Sequence, residues 1–215
     1  VTKKIKVLLV DDHVIVRNGV KLMLGEADDI SVEGEAGNAH EALQLVKAHE
    51  FDVALLDIAM PEKNGLDLLK QLRSEQPKLA VLMLSTYSEE IYAMRALKLG
   101  AAGYLTKDSP TAALINAVRK AAMGGKHVSP AMMEKLVSSI GGGGGGAAAS
   151  HEALSNRELE VLKMIASGAS LVKIAETLHL SPHTVTTYRT RIMEKMGASS
   201  NAELTRYAIE NGLIM

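Results

Sequence analysis

The sequence predicts an α/β fold, a doubly wound five-stranded parallel sheet, followed by an all-α unit of four helices that contains a helix-turn-helix. Three observations carry this. Short runs rich in Val and Leu alternate with segments of helical period through residues 1–126. Six consecutive glycines at 141–146 then interrupt the chain. Residues 151–215 hold no strand-like run but several helix-start signals. Short runs that are apolar throughout suit strands covered on both faces, the condition of a parallel sheet between helices.

In chain order, a strand at 5–10 leads into a helix at 14–25, and a strand at 30–35 into a helix at 38–49. The strand at 52–57 precedes a helix at 64–74, that at 79–85 a helix at 88–99, and that at 102–105 a helix at 111–123. Five βα units joined by right-handed crossovers place helices on both faces of the sheet. Residues 129–139 read as one more helix, with Ser129 as N-cap and Pro130 at its first position. The glycines, with Ala147 to Ser150, suit a flexible tether, because glycine loses the most entropy on ordering. Their regularity also fits an engineered or substituted linker. Four helices follow at 155–167, 171–178, 182–196 and 200–211. Ser155 with Glu158 forms a capping-box pattern, Ser181-Pro182 a second start, and Gly168 and Gly197 two stops. The short gap between the second and third helices is the spacing of a helix-turn-helix. The expected boundaries are therefore 1–126 for the sheet domain, 127–150 for a linker helix and tether, and 151–215 for the helical domain.

Bulk properties exclude several classes. The chain has 215 residues, a net charge of −1, no cysteine and 3% aromatics. No run approaches the roughly 18 apolar residues of a membrane span. No signal peptide opens the chain, so a cytoplasmic protein without membrane contact is expected; Val1 in place of Met predicts a processed or trimmed start. Residues 1–126 sum to −1 and residues 127–215 to 0, so nucleic-acid binding must rest on local charge. Scarce aromatics argue against a platform that stacks single-stranded bases.

The chemistry lies at the strand ends. KVLLVDD ends on Asp11 and Asp12, FDVALLD on Asp57, LAVLMLS on Ser85 and AAGYLTK on Lys107. A parallel sheet delivers all of these to one edge, where ligands bind. Carboxylates packed this closely repel unless a cation sits among them. Oxygen-only ligands, with no His or Cys, suit a hard ion such as Mg2+. With an ammonium and a hydroxyl beside them, the set suits a phosphoryl group attacked by a carboxylate.

At this point residues 5–123 resemble the receiver domain of two-component response regulators, a flavodoxin-like fold. The matching pieces are DD at 11–12, LLDIAMP at 55–61 with Gly65 after it, MLST at 83–86 and GYLTK at 103–107. The resemblance implies Asp57 as phosphoacceptor and Asp12 as a direct Mg2+ ligand. It gives Asp11 the metal-bound water and the Ala59 carbonyl a further metal bond. Ser85 would be the switching hydroxyl, Lys107 the counter-ion, and Tyr104 the aromatic that follows Ser85. Tyr87, two residues past Ser85, is expected to hinder water at the phosphoryl group. A phosphatase of the haloacid-dehalogenase type is the enzyme alternative. It needs a second Asp two residues beyond the first, where this chain has Ala59.

Residues 154–204 resemble the LuxR-type helix-turn-helix that ends NarL/FixJ regulators. Leu159, Leu162, Ile165, Ile174, Ala175, Leu178, Val185, Ile192 and Met196 follow helical spacing and are the expected core. The recognition helix would be Pro182 to Met196. His183, Thr186, Thr187, Tyr188, Arg189, Thr190, Arg191 and Lys195 are its expected DNA contacts, with the threonines near base edges and the cations on phosphates. His183 to Lys195 carries +2 although the domain is neutral. The family commonly has Lys where Thr186 stands, His where Tyr188 stands, and Asn-Lys-Glu where Leu171-Val172-Lys173 stands. Leu204, Tyr207 and Ala208 are the expected effector dimer surface. The resemblance implies a transcription factor rather than a turnover enzyme. A sensor histidine kinase would phosphorylate it, freeing the effector to dimerise on double-stranded DNA, with RNA polymerase as a further partner. A signalling adaptor whose helical half binds protein is the remaining alternative.

Overall fold

The computed structural model describes residues 4–60, 63–86, 89–130, 132–134 and 151–214. Pro61, Tyr87, the glycine tether and the expected helix beyond residue 134 lie outside these residues. The chain divides into two compact units, Val1–Gly142 and Gly143–Met215.

In the first unit the strands are β1 (Ile5–Val10), β2 (Ile30–Ala36), β3 (Val53–Leu56), β4 (Ala80–Ser85) and β5 (Gly103–Thr106). The helices between and after them are α1 (Val14–Leu24), α2 (Ala39–Ala48), α3 (Gly65–Glu75), α4 (Glu89–Lys98) and α5 (Thr111–Ala122). All pairings are parallel, in the order β2-β1-β3-β4-β5. The chain winds outward in both directions from β1 and β3, so the crevice beyond their C-terminal ends is the switch point where such sheets bind ligands. Every residue of β3 is buried, as expected of a central strand under helices on both sides. Val7, Leu9, Val53, Leu55, Leu82 and Leu84 pack with Val20 and Leu24 of α1 and Leu114 and Val118 of α5.

The sheet unit does not end at residue 126. The backbone N–H of His127 donates to the Ala102 carbonyl at 2.8 Å, and His127 forms a parallel bridge with Gly103. A Cβ at Gly103 would stand 2.4 Å from the His127 carbonyl oxygen, so only glycine admits this close approach. Ser129 then caps a helical turn as expected, its Oγ accepting from the Met132 N–H at 3.2 Å.

In the second unit a short 3-10 turn, His151–Ala153, precedes α6 (Asn156–Ala166), α7 (Leu171–Thr177), α8 (Pro182–Met196) and α9 (Asn201–Glu210). The Ser155–Glu158 capping box forms as read from the sequence. Gly168 takes φ 84° and Gly197 φ 62°, the left-handed conformations that end α6 and α8. The turn between α7 and α8 places His179 at φ 52°, the one positive-φ non-glycine among the described residues. All nine expected core residues are buried.

Candidate functional site

The strand-end residues meet at the C-terminal edge of β1 and β3. Asp11 and Asp57 are each 2% exposed and Ser85 is fully buried. The Lys107 ammonium lies 2.6 Å from Asp11 Oδ2 and 2.8 Å from Asp57 Oδ2, so the cation that the packed carboxylates require is supplied by the chain. The Lys107 N–H donates to the Ser85 carbonyl at 2.9 Å, which ties the cation to the end of β4. The Ala59 N–H reaches Asp57 Oδ1 at 3.4 Å. The start of α3 closes the other side. Buried Asn64 accepts the Leu66 N–H at 2.9 Å, and a Cβ at Gly65 would stand 2.0 Å from the Asp57 carbonyl oxygen. The α3 N-terminus can therefore approach the acidic strand end only through a glycine.

Burial pushes the Asp57 carboxyl above the usual carboxylate range. The Lys107 hydrogen bond and charge oppose the rise, and the Asp11 charge adds to it. Burial pulls the Lys107 ammonium down, but its bonds to Asp11 and Asp57 outweigh that and leave it raised. Two residues that the sequence reading missed complete the site. His13 Nδ1 lies 2.9 Å from Asp12 Oδ1, and the His13 N–H donates to Asp11 Oδ1 at 2.8 Å. Arg17 Nη1 donates to the Asp11 carbonyl at 2.6 Å. His13 follows the acidic pair directly and was open to notice. Nothing in sequence spacing announces the path that brings Arg17 back to Asp11.

The donor set fits a metal ion. One ligand atom from each of Asp11, Asp12, His13 and Asp57 lies within 4.8 Å of all the others. Asp12 Oδ1 is buried and makes no well-aligned hydrogen bond; its polar neighbour is His13 Nδ1 at 2.9 Å, which belongs to the same ligand cluster. Carboxylate oxygens suit a hard divalent ion.

In the second unit, α8 presents His183, Thr186, Thr187, Thr190 and Arg191 to solvent and buries Val185, Ile192 and Met196. Tyr188 and Arg189 are half-buried, and Arg189 Nε donates to Asn201 Oδ1 at 2.8 Å. Lys195 has an internal partner, its Nζ standing 2.7 Å from the buried Glu158 carboxylate. Glu158 Oε2 also accepts the Ser155 N–H at 2.7 Å, so one carboxylate joins the α6 cap to the end of α8.

Residues 7–119 match the response regulator receiver domain, and residues 152–208 match the bacterial regulatory proteins of the luxR family. The chain belongs to the NarL/FixJ family of response regulators. It is 34% identical to the response regulator GacA of Pseudomonas aeruginosa, with 98% of each chain covered. It is 36% identical to the oxygen regulatory protein NreC of Staphylococcus carnosus, with 97% of this chain and 99% of that one covered. Among solved structures it resembles RcsB of Salmonella enterica serovar Typhimurium bound to promoter rprA with the phosphomimetic BeF3−. That match has 25% identity, covers 95% and 98% of the two chains, and has a TM-score of 0.65.

As a response regulator, the protein pairs a receiver with a LuxR-type DNA-binding domain and regulates transcription rather than turning over a substrate. Among the described residues no helix is long and apolar enough to cross a membrane. One expectation is corrected. Leu204 and Ala208, read as dimer surface, are fully buried because α9 turns them onto α6. Tyr207 is half-buried, and its hydroxyl bonds to His151 Nδ1 at 2.9 Å. The apolar stripe of α9 is core; its exposed face carries Ala202, Arg206 and Ile209.

Proposed function

We propose that this response regulator stores a signal as an aspartyl phosphate at Asp57 and uses it to control double-stranded DNA binding by α8. A sensor histidine kinase supplies the phosphoryl group: an Asp57 carboxylate oxygen bonds to phosphorus as the P–N bond to the kinase histidine breaks. The observation that carries this reading is the Lys107 ammonium 2.8 Å from Asp57 Oδ2, where it faces the incoming phosphoryl oxygens. Mg2+, held by Asp12, Asp57 and the Ala59 carbonyl with Asp11 on its water, would neutralise charge on the phosphoryl group. Asp11 is relieved of Lys107 as that cation turns to the phosphate.

Ser85, buried at the end of β4, and Tyr104, buried within β5, are the residues whose rearrangement reports the modification. Slow hydrolysis of its own phosphate resets the site. The receiver runs from residue 1 through His127, the linker helix and tether follow to residue 150, and the DNA-binding domain takes 151–215. In the cytoplasm the phosphorylated protein binds as a dimer to paired half-sites and acts on RNA polymerase at promoters. The dimer contact falls on Ala202, Arg206 and Ile209, since Leu204 and Ala208 are not available.

The test is labelling by acetyl phosphate with Mg2+, followed by footprinting of a DNA library with and without the phosphodonor. Wild type should label and gain footprints. Asp57→Asn should do neither while its circular dichroism is unchanged. Normal labelling of Asp57→Asn removes the assignment.

A further inference from the structure

The three threonines on the exposed face of α8 do not present free hydroxyl groups. Thr186 Oγ1 donates to the Pro182 carbonyl at 3.0 Å, Thr187 Oγ1 to the His183 carbonyl at 3.1 Å, and Thr190 Oγ1 to the Thr186 carbonyl at 3.1 Å. Each is the bond to the carbonyl four residues back that a helical threonine can form. A hydroxyl has one hydrogen. Once that hydrogen is committed to the helix, the side chain can offer a partner only its methyl and the remaining lone pairs of its oxygen. All three residues are exposed, so these are the groups that a docked duplex meets.

The consequence is a chemical class of sequence. In the major groove, guanine shows only acceptors at N7 and O6, whereas thymine shows the C5 methyl and adenine and cytosine show an amino donor. A threonine without a free hydrogen has nothing to give guanine. It can pack its methyl on that of thymine, or accept from an adenine or cytosine amino group. We propose that Thr186, Thr187 and Thr190 are the specificity-determining residues of this protein and that they read thymine methyls, selecting half-sites rich in T·A steps and poor in guanine contacts. The proposal rests on the double-stranded DNA binding by α8 proposed above, with that helix lying in the major groove. Of the cations of the same helix, Lys195 is paired with Glu158 and Arg189 bonds to Asn201, which leaves Arg191 on the exposed face, where the proposed complex assigns it to phosphate.

The experiment uses the full chain with phosphodonor and a duplex enriched by it from a random pool. Thymines of the half-site are replaced singly by uracil, which lacks the methyl, and guanines by 7-deazaguanine, which lacks N7. Uracil should weaken binding about fourfold at each contacted position, the scale of one buried methyl. The 7-deaza bases should change nothing. In parallel, Thr187→Val keeps the methyl and should keep the preference, whereas Thr187→Ser keeps the hydroxyl and should lose it. Uracil duplexes bound as well as thymine duplexes, or a preference kept by serine and lost by valine, would overturn the proposal and leave DNA binding intact. Salt-dependent binding without any base preference would do the same. Failure to bind any duplex would remove the docking of α8 and the proposal together. The uracil series uses the unsubstituted protein, so it decides the matter even if a variant folds poorly.

Discussion

Lys195 Nζ and Glu158 Oε2 stand 2.7 Å apart, joining the last turn of α8 to the first turn of α6. Burial raises the Glu158 carboxyl, but the Lys195 and Ser155 bonds outweigh it, so the group titrates below its usual range. A carboxylate with a depressed folded pKa stabilises the fold above its unfolded pKa, and that stability is lost as pH falls through the folded value. Glu158→Gln should therefore lower the stability of the DNA-binding domain at neutral pH by about 1–2 kcal/mol, a value reduced because Lys195 is partly exposed. Thermal melts from pH 7 to pH 3 check this: the gap between wild type and variant should close as the pH falls.

Asp57 shows the opposite sign. Its carboxyl is raised by burial despite Lys107, so without a divalent ion the charged site weakens the fold. The associated stability is full below the unfolded pKa and is lost as pH rises through the folded one. Asp57→Asn should melt higher than wild type at pH 7 in chelator, by about 1 kcal/mol, the ordinary scale of a single substitution. Added Mg2+ should raise the wild type and leave the variant nearly unmoved, as read by scanning calorimetry.

Gly65→Ala places a Cβ 2.0 Å from the Asp57 carbonyl oxygen. The α3 N-terminus must then retreat from the site. Overpacking of this kind costs about 1–3 kcal/mol. Urea unfolding should show that loss, and acetyl phosphate labelling should slow beyond what the loss of folded protein explains.

Arg191 is exposed on α8 and makes a phosphate contact in the proposed complex. Arg191→Ala should weaken binding to every duplex alike and reduce the slope of log affinity against log salt by about one. A salt titration on two unrelated duplexes checks both effects.

Ile209 is 58% exposed on the outer face of α9. If that face is the dimer contact, Ile209→Glu should abolish paired-site footprints while binding to a single half-site persists. Sedimentation of the protein–DNA complexes reads the stoichiometry.

Most of the receiver was legible because a parallel sheet sends every strand end to one edge. Once the runs ending on Asp11, Asp57, Ser85 and Lys107 are recognised as strands, their convergence follows. The caps at Ser155 and Ser181 were legible because their partners lie within three residues. What failed depends on distant partners or on the sidedness of a stripe. Helical spacing marked Leu204 and Ala208 as one apolar face but did not say that α6 covers it. Lys195 reads as one more basic residue on a recognition helix, because its partner Glu158 lies a whole helix-turn-helix away. Arg17 reads as a surface residue of α1 until the fold turns it to the Asp11 carbonyl.

The Lys107–Asp57 pair joins residues 50 positions apart, and Lys107 follows the last strand to be made. A growing chain that has emerged only as far as β4 holds its carboxylates without their cation, and β4 has an open edge. It lacks both the charge balance of the finished pocket and the strand that carries Tyr104. On the proposed mechanism, the capacity to accept a phosphoryl group would arrive only with the strand that finishes the sheet.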